Sequence, residues 1–449
     1  MAAGVGNREK SPRGSRDPAL PRSSRDVADD GDRPHRPVGL IRVKSAGESG
    51  RTGINPILFL KIIWMSTSRL SRVVNILWPF VPAALAVYYT GAGSPSLRFA
   101  LTYIAMVPCA NLIGFAGQQL ARKMPHMLGV LTETTIGSVV EIVLFIVLLA
   151  KAPEESKTNI IRAAILGSIL ATMLLCLGLC FFAAGIRRES AEFDAAVSEV
   201  GTGLLLMAGF GLAIPTIFKH SMSNAESGLT ASELDIKTTQ LSRVVAVLLL
   251  ISYVVFLWFQ MRTHHGIYDA IFEQDEERDA DGHKEKLKPK LTLIESILSL
   301  AASVTLVTLL AIALVNEIEP LVESTLVSDP FLGLILVPLV EKAAEHLTAI
   351  DEAWDNQINF ALSHCIGATI QTAMLNAPLV VIVAWGIGTP LSLGFEIFEI
   401  SVLILAIITV GNYLRDQRSD YLEGFLCVIT YIAIAVAAFY SPTPHPQTA

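Results

Sequence analysis

The sequence has few charged residues for its length. Only 17% of its 449 residues are Asp, Glu, Lys or Arg, whereas soluble domains contain about a quarter. A soluble globular protein is therefore not expected. Apolar runs of about 20 residues recur from position 73 onward, which predicts an all-α polytopic membrane protein.

Cysteine is scarce as well, and no signal peptide is expected because the first sixty residues lack an apolar core segment. An odd number of cysteines with no metal-ligand spacing argues against a disulfide framework or a metal motif. Buried free thiols are the simpler interpretation. The five cysteines all lie in apolar segments, at Cys109, Cys176, Cys180, Cys365 and Cys427.

Eleven transmembrane helices are predicted, as one leading helix and two five-helix repeats. Lys and Arg in alternate loops place the N-terminus in the cytosol. The acidic loop is either a solvated linker or a surface that collects cations. The predicted parts are a disordered basic cytosolic tail at 1–70, the first transmembrane helix at 71–92, the first repeat at 95–262, an acidic cytosolic loop at 263–290, the second repeat at 291–440 and a tail at 441–449. The predicted spans are 73–91, 98–121, 128–150, 160–184, 196–218, 241–261, 292–315, 329–350, 358–386, 395–414 and 422–440.

Two of the apolar runs contain acids near their middle. One is GSVVEIV at 137–143, with Glu141, and the other is GLILVPLVEKAAEHLTAI at 333–350, with Glu345. A charge at the centre of a bilayer costs about 2.5–3.5 kcal/mol even on insertion scales. Such residues are therefore expected to face protein, water or a bound ion.

The two acidic runs belong to an internal repeat. IGSVVEIV at 136–143 aligns with VEKAAEHL at 340–347, and LGSILATMLL at 166–175 aligns with IGATIQTAML at 366–375. The predicted spans enter the membrane from opposite sides, so the repeat is inverted. Inverted repeats are typical of secondary transporters with a site at the membrane midplane.

These residues suit a hard divalent cation. Two glutamates neutralise one such ion, and small polar neighbours supply neutral oxygen ligands. Without metal, the same acids take up protons, so competition between metal and protons allows exchange. The alternatives are purely structural hydrogen bonds, and for His346 either a proton relay or a structural role. The predicted cation and proton site comprises Glu141, Glu345, Gln371, Ser138, Thr369 and Thr172, with Glu141 and Glu345 as the metal ligands.

The chain resembles the vacuolar cation/proton exchangers, a family of calcium/cation antiporters. The resemblance is carried by GLILVP at 333–338, AAEH at 343–346, and the apolar stretches 241–264, 395–413 and 421–439. It implies exchange of luminal protons for cytosolic calcium, and in some members manganese, by alternating access in the vacuolar membrane. It also implies that Glu141 and Glu345 bind the ion, with Gln371 as a polar neighbour.

The chain departs from that family in both site motifs. The family pattern is Gly-Asn-x-x-Glu, but here Gly137 is followed by Ser138, and the second half has Glu341 and Lys342. Lys342 lies within reach of Glu345 on a helix, and we expect it to pair with one of the acids and weaken or alter divalent binding. The residues predicted to modify the site are Glu133, Glu341, Lys342 and His346.

The sequence is compatible with two functions and argues against a third. The first is a calcium/proton antiporter, and the second is a transport-altered or inactive relative that acts as a regulator, or an exchanger of a different cation. An intramembrane enzyme is not expected, because HExxH and paired-aspartate motifs are missing from the spans. No cofactor and no nucleic-acid partner are expected; calcium or manganese ions and protons are substrates, and a homo-oligomer is left open.

Overall fold

The computed structural model describes residues 53–65, 69–124, 126–151, 155–223, 228–279, 288–325 and 327–441. Twenty helices are described, with a two-residue antiparallel pair of strands, β1 at Ala191–Glu192 and β2 at Arg418–Ser419. The helices are α1 Pro56–Met65, α2 Arg69–Val74, α3 Phe80–Thr90, α4 Pro95–Ala121, α5 His126–Gly137, α6 Val139–Ala150, α7 Glu155–Leu170, α8 Leu177–Arg187, α9 Ala195–Met222, α10 Ala231–Trp258, α11 His265–Arg278, α12 Leu293–Asn316, α13 Ile318–Ser324, α14 Asp329–Phe331, α15 Val337–Glu341, α16 Ala343–Trp354, α17 Ile358–Gln371, α18 Ala377–Ile387, α19 Ile397–Tyr413 and α20 Tyr421–Phe439.

The predicted all-α membrane class is confirmed, whereas the count of eleven spans is not. Within the described ranges, nine helical stretches are long and apolar enough to cross a membrane. The predicted span 395–414 corresponds to the 17-residue helix α19. The predicted span 329–350 is divided into short helices by a π-helical segment at Leu332–Leu336 and a break at Lys342.

Part of the tail that was predicted to be disordered is helical. Helix α1 has the sequence PILFLKIIWM, and its Ile62 packs in a small cluster with Leu112, Phe115 and Leu291. The prediction for 1–70 was wrong there because the apolar face of α1 has a partner in the fold. Residues 1–52 lie outside the described residues.

The acidic loop at 263–290 also contains a helix. Helix α11 packs against α17, and its Asp275 is completely buried and bonded to the start of that helix. The described part of this segment is therefore docked on the protein, and residues 280–287 lie outside the described residues.

The two halves pack against one another. Helix α4 lies along α12, and α8 lies along α20. Short π-helical segments follow α7 at Ala171–Cys176 and α17 at Thr372–Asn376. These are equivalent positions in the sequence repeat, and π-helical turns are frequent at functional sites.

Candidate ion-binding site

Two broken helices position the predicted glutamates. The regular α-helix is interrupted at Ser138, between α5 and α6, and at Lys342, between α15 and α16. Glu141 and Glu345 are each the third residue of the helix that follows the break. The first turn of a helix favours negative charge, so both breaks provide an equivalent place for a carboxylate.

Glu141 is held by residues of the other half of the chain. It is completely buried, and its Oε2 accepts hydrogen bonds from Thr372 Oγ1 at 3.0 Å and from Asn376 Nδ2 at 2.8 Å. The π-helical turn at Thr372–Asn376 carries both donors. The acid of the first repeat is thus oriented by the second repeat.

The ammonium group of Lys342 lies between the two glutamates. Its Nζ is 2.7 Å from Glu141 Oε2 and 3.1 Å from Glu345 Oε2, and its side chain is fully buried. The expected pairing of Lys342 with the acids is therefore present. Because both carboxylates contact one nitrogen, they converge on a single position for a cation.

Glu345 approaches α5 through Gly137. A Cβ at that position would collide with Glu345 Oε1. Unlike Glu141, the Glu345 side chain keeps 15% of its surface exposed. Glu345 therefore lies at the accessible side of the cluster.

A third acid, Glu341, belongs to the same cluster. It is 1% exposed, and it interacts electrostatically with Glu141, Lys342 and Glu345. The Ser168 hydroxyl also interacts with its carboxylate. Three carboxylates and one ammonium thus carry a formal net charge of −2.

Thr172 and His346 meet beside this cluster. Their Oγ1 and Nε2 atoms are 3.5 Å apart, and the Thr172 hydroxyl also donates to the Ser168 carbonyl at 2.9 Å. Ser138 is fully buried at the first helix break. Thr369 is different, because its hydroxyl donates to the Cys365 carbonyl of its own helix.

Gln371 is buried and borders a cavity of about 50 Å³. Among the described residues, no acceptor completes a hydrogen bond to its Nε2. Gly367 borders the same cavity, and a Cβ there would have no neighbour within 4 Å. A polar amide therefore borders this cavity one residue before Thr372, which bonds Glu141.

Glu133 belongs to a second polar cluster. Its carboxylate is 3.9 Å from His364 Nε2, and His364 Nδ1 is 2.6 Å from Glu352 Oε2. All three side chains are partly buried, with 9–17% of their surface exposed. The structure thus does not place Glu133 among the ion pairs of Lys342.

Sequence reasoning missed Asn376, Glu352 and His364. Asn376 is an isolated amide in an apolar span, five residues after Gln371, and that isolation was the available signal. Glu352 lies near the end of α16, where polar residues are ordinary, and His364 lies in the middle of α17. Their pairing depends on how α16 packs against α17.

Comparison with known proteins gives one consistent result. The family model described as sodium/calcium exchanger protein matches residues 95–262 and 295–440. The vacuolar calcium ion transporter of Schizosaccharomyces pombe is 33% identical over 388 residues, which cover 85% of this chain and 89% of that protein. Vacuolar cation/proton exchanger 2 of Arabidopsis thaliana is 31% identical over 374 residues, which cover 83% and 82% respectively.

Solved structures show a similar fold. Native YfkE superposes with a TM-score of 0.65 at 24% identity, covering 81% of this chain and 100% of that one. The H+/Ca2+ exchanger CAX gives a TM-score of 0.57 at 14% identity, covering 85% and 91%. At these identities the likeness concerns the all-α membrane architecture.

Proposed function

Because the chain belongs to the sodium/calcium exchanger protein family, with vacuolar cation/proton exchangers among its relatives, we propose that it is a secondary antiporter that exchanges luminal protons for cytosolic calcium. We propose manganese as a second transported cation. The vacuolar membrane is the proposed location, by analogy with the named relatives, with the N-terminus in the cytosol. The observation that carries the proposal is the convergence of Glu141 and Glu345 on Lys342 Nζ.

The proposed metal ligands are Glu141 and Glu345. The Oδ1 atom of Asn376 has no hydrogen-bond donor among the described residues, so it is available as a neutral oxygen ligand. Carboxylate and amide oxygens are the ligands that calcium prefers. Thr372, Thr172, Ser138 and Gln371 complete the polar surroundings, and Thr369 remains a proposed member although its hydroxyl is used within its helix.

Charge supports a divalent substrate despite the altered motif. Lys342 adds one positive charge to the pair of glutamates, and Glu341 adds one negative charge beside it. The formal charge of −2 thus equals that of two glutamates alone, which is the charge that one divalent ion neutralises. The altered motif preserves the charge but places a competing ammonium at the centre.

Exchange follows from competition for these acids. In the proposed cycle, a calcium ion entering from one side displaces the Lys342 ammonium from Glu141 and Glu345, and protons entering from the other side displace the calcium. Sites at the interface of two repeats suit alternating access, because rocking one repeat against the other exposes the site to each side in turn.

The test is calcium uptake into liposomes that contain the purified full-length protein and have an acidic interior. We expect uptake that collapses when a protonophore removes the pH gradient. Glu141→Gln and Glu345→Gln should each abolish it, because each removes half of the charge that binds the ion. Glu399→Gln, which alters a buried acid at the start of α19, is the matched control and should retain uptake; full activity of either site variant would overturn the site assignment.

Lys342 also favours a second candidate, an exchanger of another cation or an inactive relative that acts as a regulator. A buried ammonium already occupies the point where the two acids converge. An isotope flux panel of calcium, manganese, sodium and potassium against an imposed pH step separates these functions. Calcium flux supports the first candidate, flux of only another cation supports an altered exchanger, and no flux of any cation supports a regulator.

A further inference from the structure

Three of the five cysteines meet in the protein interior. Cys365 Sγ on α17 is 3.4 Å from Cys176 Sγ and 3.9 Å from Cys180 Sγ. All three sulfur atoms lie within 4.8 Å of one another, and each residue is at most 1% exposed. Cys176 and Cys180 come from the first repeat and Cys365 comes from the second.

These separations fit three sulfur ligands around one metal ion. Zinc binds thiolate sulfur at about 2.3 Å, so two sulfurs on one zinc lie about 3.8 Å apart in tetrahedral geometry and about 4.0 Å apart in trigonal geometry. The sulfur–sulfur distances of 3.4 and 3.9 Å in the structure are close to these values. Small side-chain rotations would therefore suffice for the thiols to share one ion.

The chemistry selects a soft ion. Thiolates bind zinc and other thiophilic metals, whereas calcium and manganese prefer oxygen ligands. Cys365 and Thr372 lie about two turns apart on the same helical span, roughly 10 Å along its axis at 1.5 Å per residue. The three thiols are thus spatially separate from the carboxylate cluster at Lys342.

The polar cluster of Glu133, Glu352 and His364 adjoins the thiols. His364 directly precedes Cys365 in the chain and interacts with it electrostatically, and Glu352 interacts with Cys180. The two carboxylates remain partly exposed. They therefore provide a negatively charged entrance for a cation and acceptors for the protons that leave the thiols.

We propose that Cys176, Cys180 and Cys365 form a binding site for a soft divalent d10 metal ion such as zinc or cadmium. Binding replaces three S–H bonds with three metal–sulfur bonds and releases three protons, and the oxidation state of every atom is unchanged. The bound ion ties the π-helical turn and α8 of the first repeat to α17 of the second. Its effect on exchange rests on the proposed function: a tie between the repeats would slow transport.

The test is a cadmium titration of the purified, phosphine-reduced full-length protein, followed by ultraviolet thiolate-to-cadmium charge-transfer absorbance. One cadmium ion per chain should saturate the signal. Cys176→Ser, Cys180→Ser and Cys365→Ser should each weaken or abolish it. Cys109→Ser and Cys427→Ser change equally buried thiols and are the matched controls that should leave it intact.

X-ray absorption of the cadmium-loaded unaltered protein gives an answer even where a variant fails to fold. Three sulfur neighbours around cadmium support the site. Absence of charge transfer, a shell of only oxygen and nitrogen, or an equal loss in Cys109→Ser would overturn it. Because this assay measures no transport, its outcome is independent of whether calcium exchange is observed.

Discussion

At the scale of single residues, Lys342 is the most unusual feature of the molecule. Its buried ammonium contacts the two acids that were predicted to bind the transported ion. A buried charge is tolerated when it is paired, and removing one partner leaves the others uncompensated. Lys342 therefore stabilises the ion-free protein, and in the proposed site it would compete with the ion at the same atoms.

Replacing Lys342 with Asn separates these two effects. In Lys342→Asn three acids lose their buried counter-charge, a type of change that costs about 3–5 kcal/mol. We expect a lower unfolding temperature in detergent without calcium, and tighter calcium binding because the competing ammonium is gone. Thermal unfolding measures the loss of stability, and calcium uptake into vesicles measures the effect on calcium binding.

The double variant Glu341→Gln, Lys342→Asn is the matched control. It retains the formal charge of −2, so its stability without calcium should exceed that of Lys342→Asn. Unchanged calcium uptake and unchanged stability in Lys342→Asn would dismiss both roles of the lysine.

At the scale of elements, the two repeats have helix breaks at equivalent positions, but their aligned glycines have different surroundings. The breaks at Ser138 and Lys342 occupy equivalent positions. Gly167 and Gly367 are also aligned, yet their surroundings differ: Gly167 lies against the Leu334 carbonyl and Pro338, whereas Gly367 faces open space. The α7 crossing is thus closely packed, and its repeat equivalent opens onto the cavity.

Alanine at the two aligned glycines should therefore have unequal effects. In Gly167→Ala the added methyl group collides with backbone that cannot move aside, and overpacking of this kind costs about 1–3 kcal/mol. In Gly367→Ala we expect little loss of stability. Chemical denaturation in detergent measures the free energy of unfolding of both variants. Equal stabilities of the two variants would show that the close crossing at Gly167 is dispensable.

The docking of α11 gives a second prediction for an element. Asp275 accepts hydrogen bonds from the Asn359 and Phe360 backbone N–H groups at 2.7 and 3.2 Å, and from Asn359 Nδ2 at 2.9 Å. It thereby satisfies donors at the start of α17 that lack helical partners. Asp275→Asn places an amide donor against these donors and should lower the free energy of unfolding by about 1–3 kcal/mol. Glu273→Gln lies on the exposed face of the same helix and should change the free energy of unfolding little.

The contribution of Asp275 to the stability of the folded protein should also depend on pH. Burial raises the pKa of Asp275 above its ordinary value, with the hydrogen bonds from Asn359 and Phe360 acting in the opposite direction. The folded protein therefore holds this proton more tightly than the unfolded chain, and the associated stability is lost as the pH rises through the folded pKa. The stability difference between the unaltered protein and Asp275→Asn should be larger near pH 4 than at pH 7, and an opposite trend would contradict the assigned cause.

At the scale of the whole molecule, the proposed ion site takes its residues from both repeats. Glu141 from the first repeat is bonded to Thr372 and Asn376 from the second, and Lys342 joins it to Glu345. A ligand that binds only the folded state stabilises it by mass action, by about 2.7 kcal/mol at a concentration 100 times its Kd. A bound ion should therefore stabilise both halves together.

Calcium should accordingly raise the unfolding temperature of the purified protein. The shift should shrink as the pH falls, because protons compete for the same acids, and it should vanish in Glu141→Gln and Glu345→Gln. Magnesium at the same concentration controls for ionic strength. A calcium shift that persists in both variants would place the ion elsewhere.

The sequence by itself determined the class of the protein and its family, and it supplied the acids of the proposed site. Each of these depends on local patterns: apolar runs long enough for a bilayer, and charges such as Glu141 and Glu345 that are too costly in lipid without a function. The family resemblance and the all-α membrane class are confirmed. The inverted orientation of the repeats and the sidedness of the loops remain predictions.

Only the tertiary structure decided which residues meet. Asn376 reaches Glu141 across 235 positions of the chain, and Cys365 reaches Cys176 across 189. Such contacts depend on helix rotation and crossing, to which single-sequence periodicity is insensitive. For the same reason the cysteine spacing did not indicate that Cys176, Cys180 and Cys365 meet. Nor did the motif indicate that Glu133 lies beside His364, because that contact joins helices that are distant in the sequence.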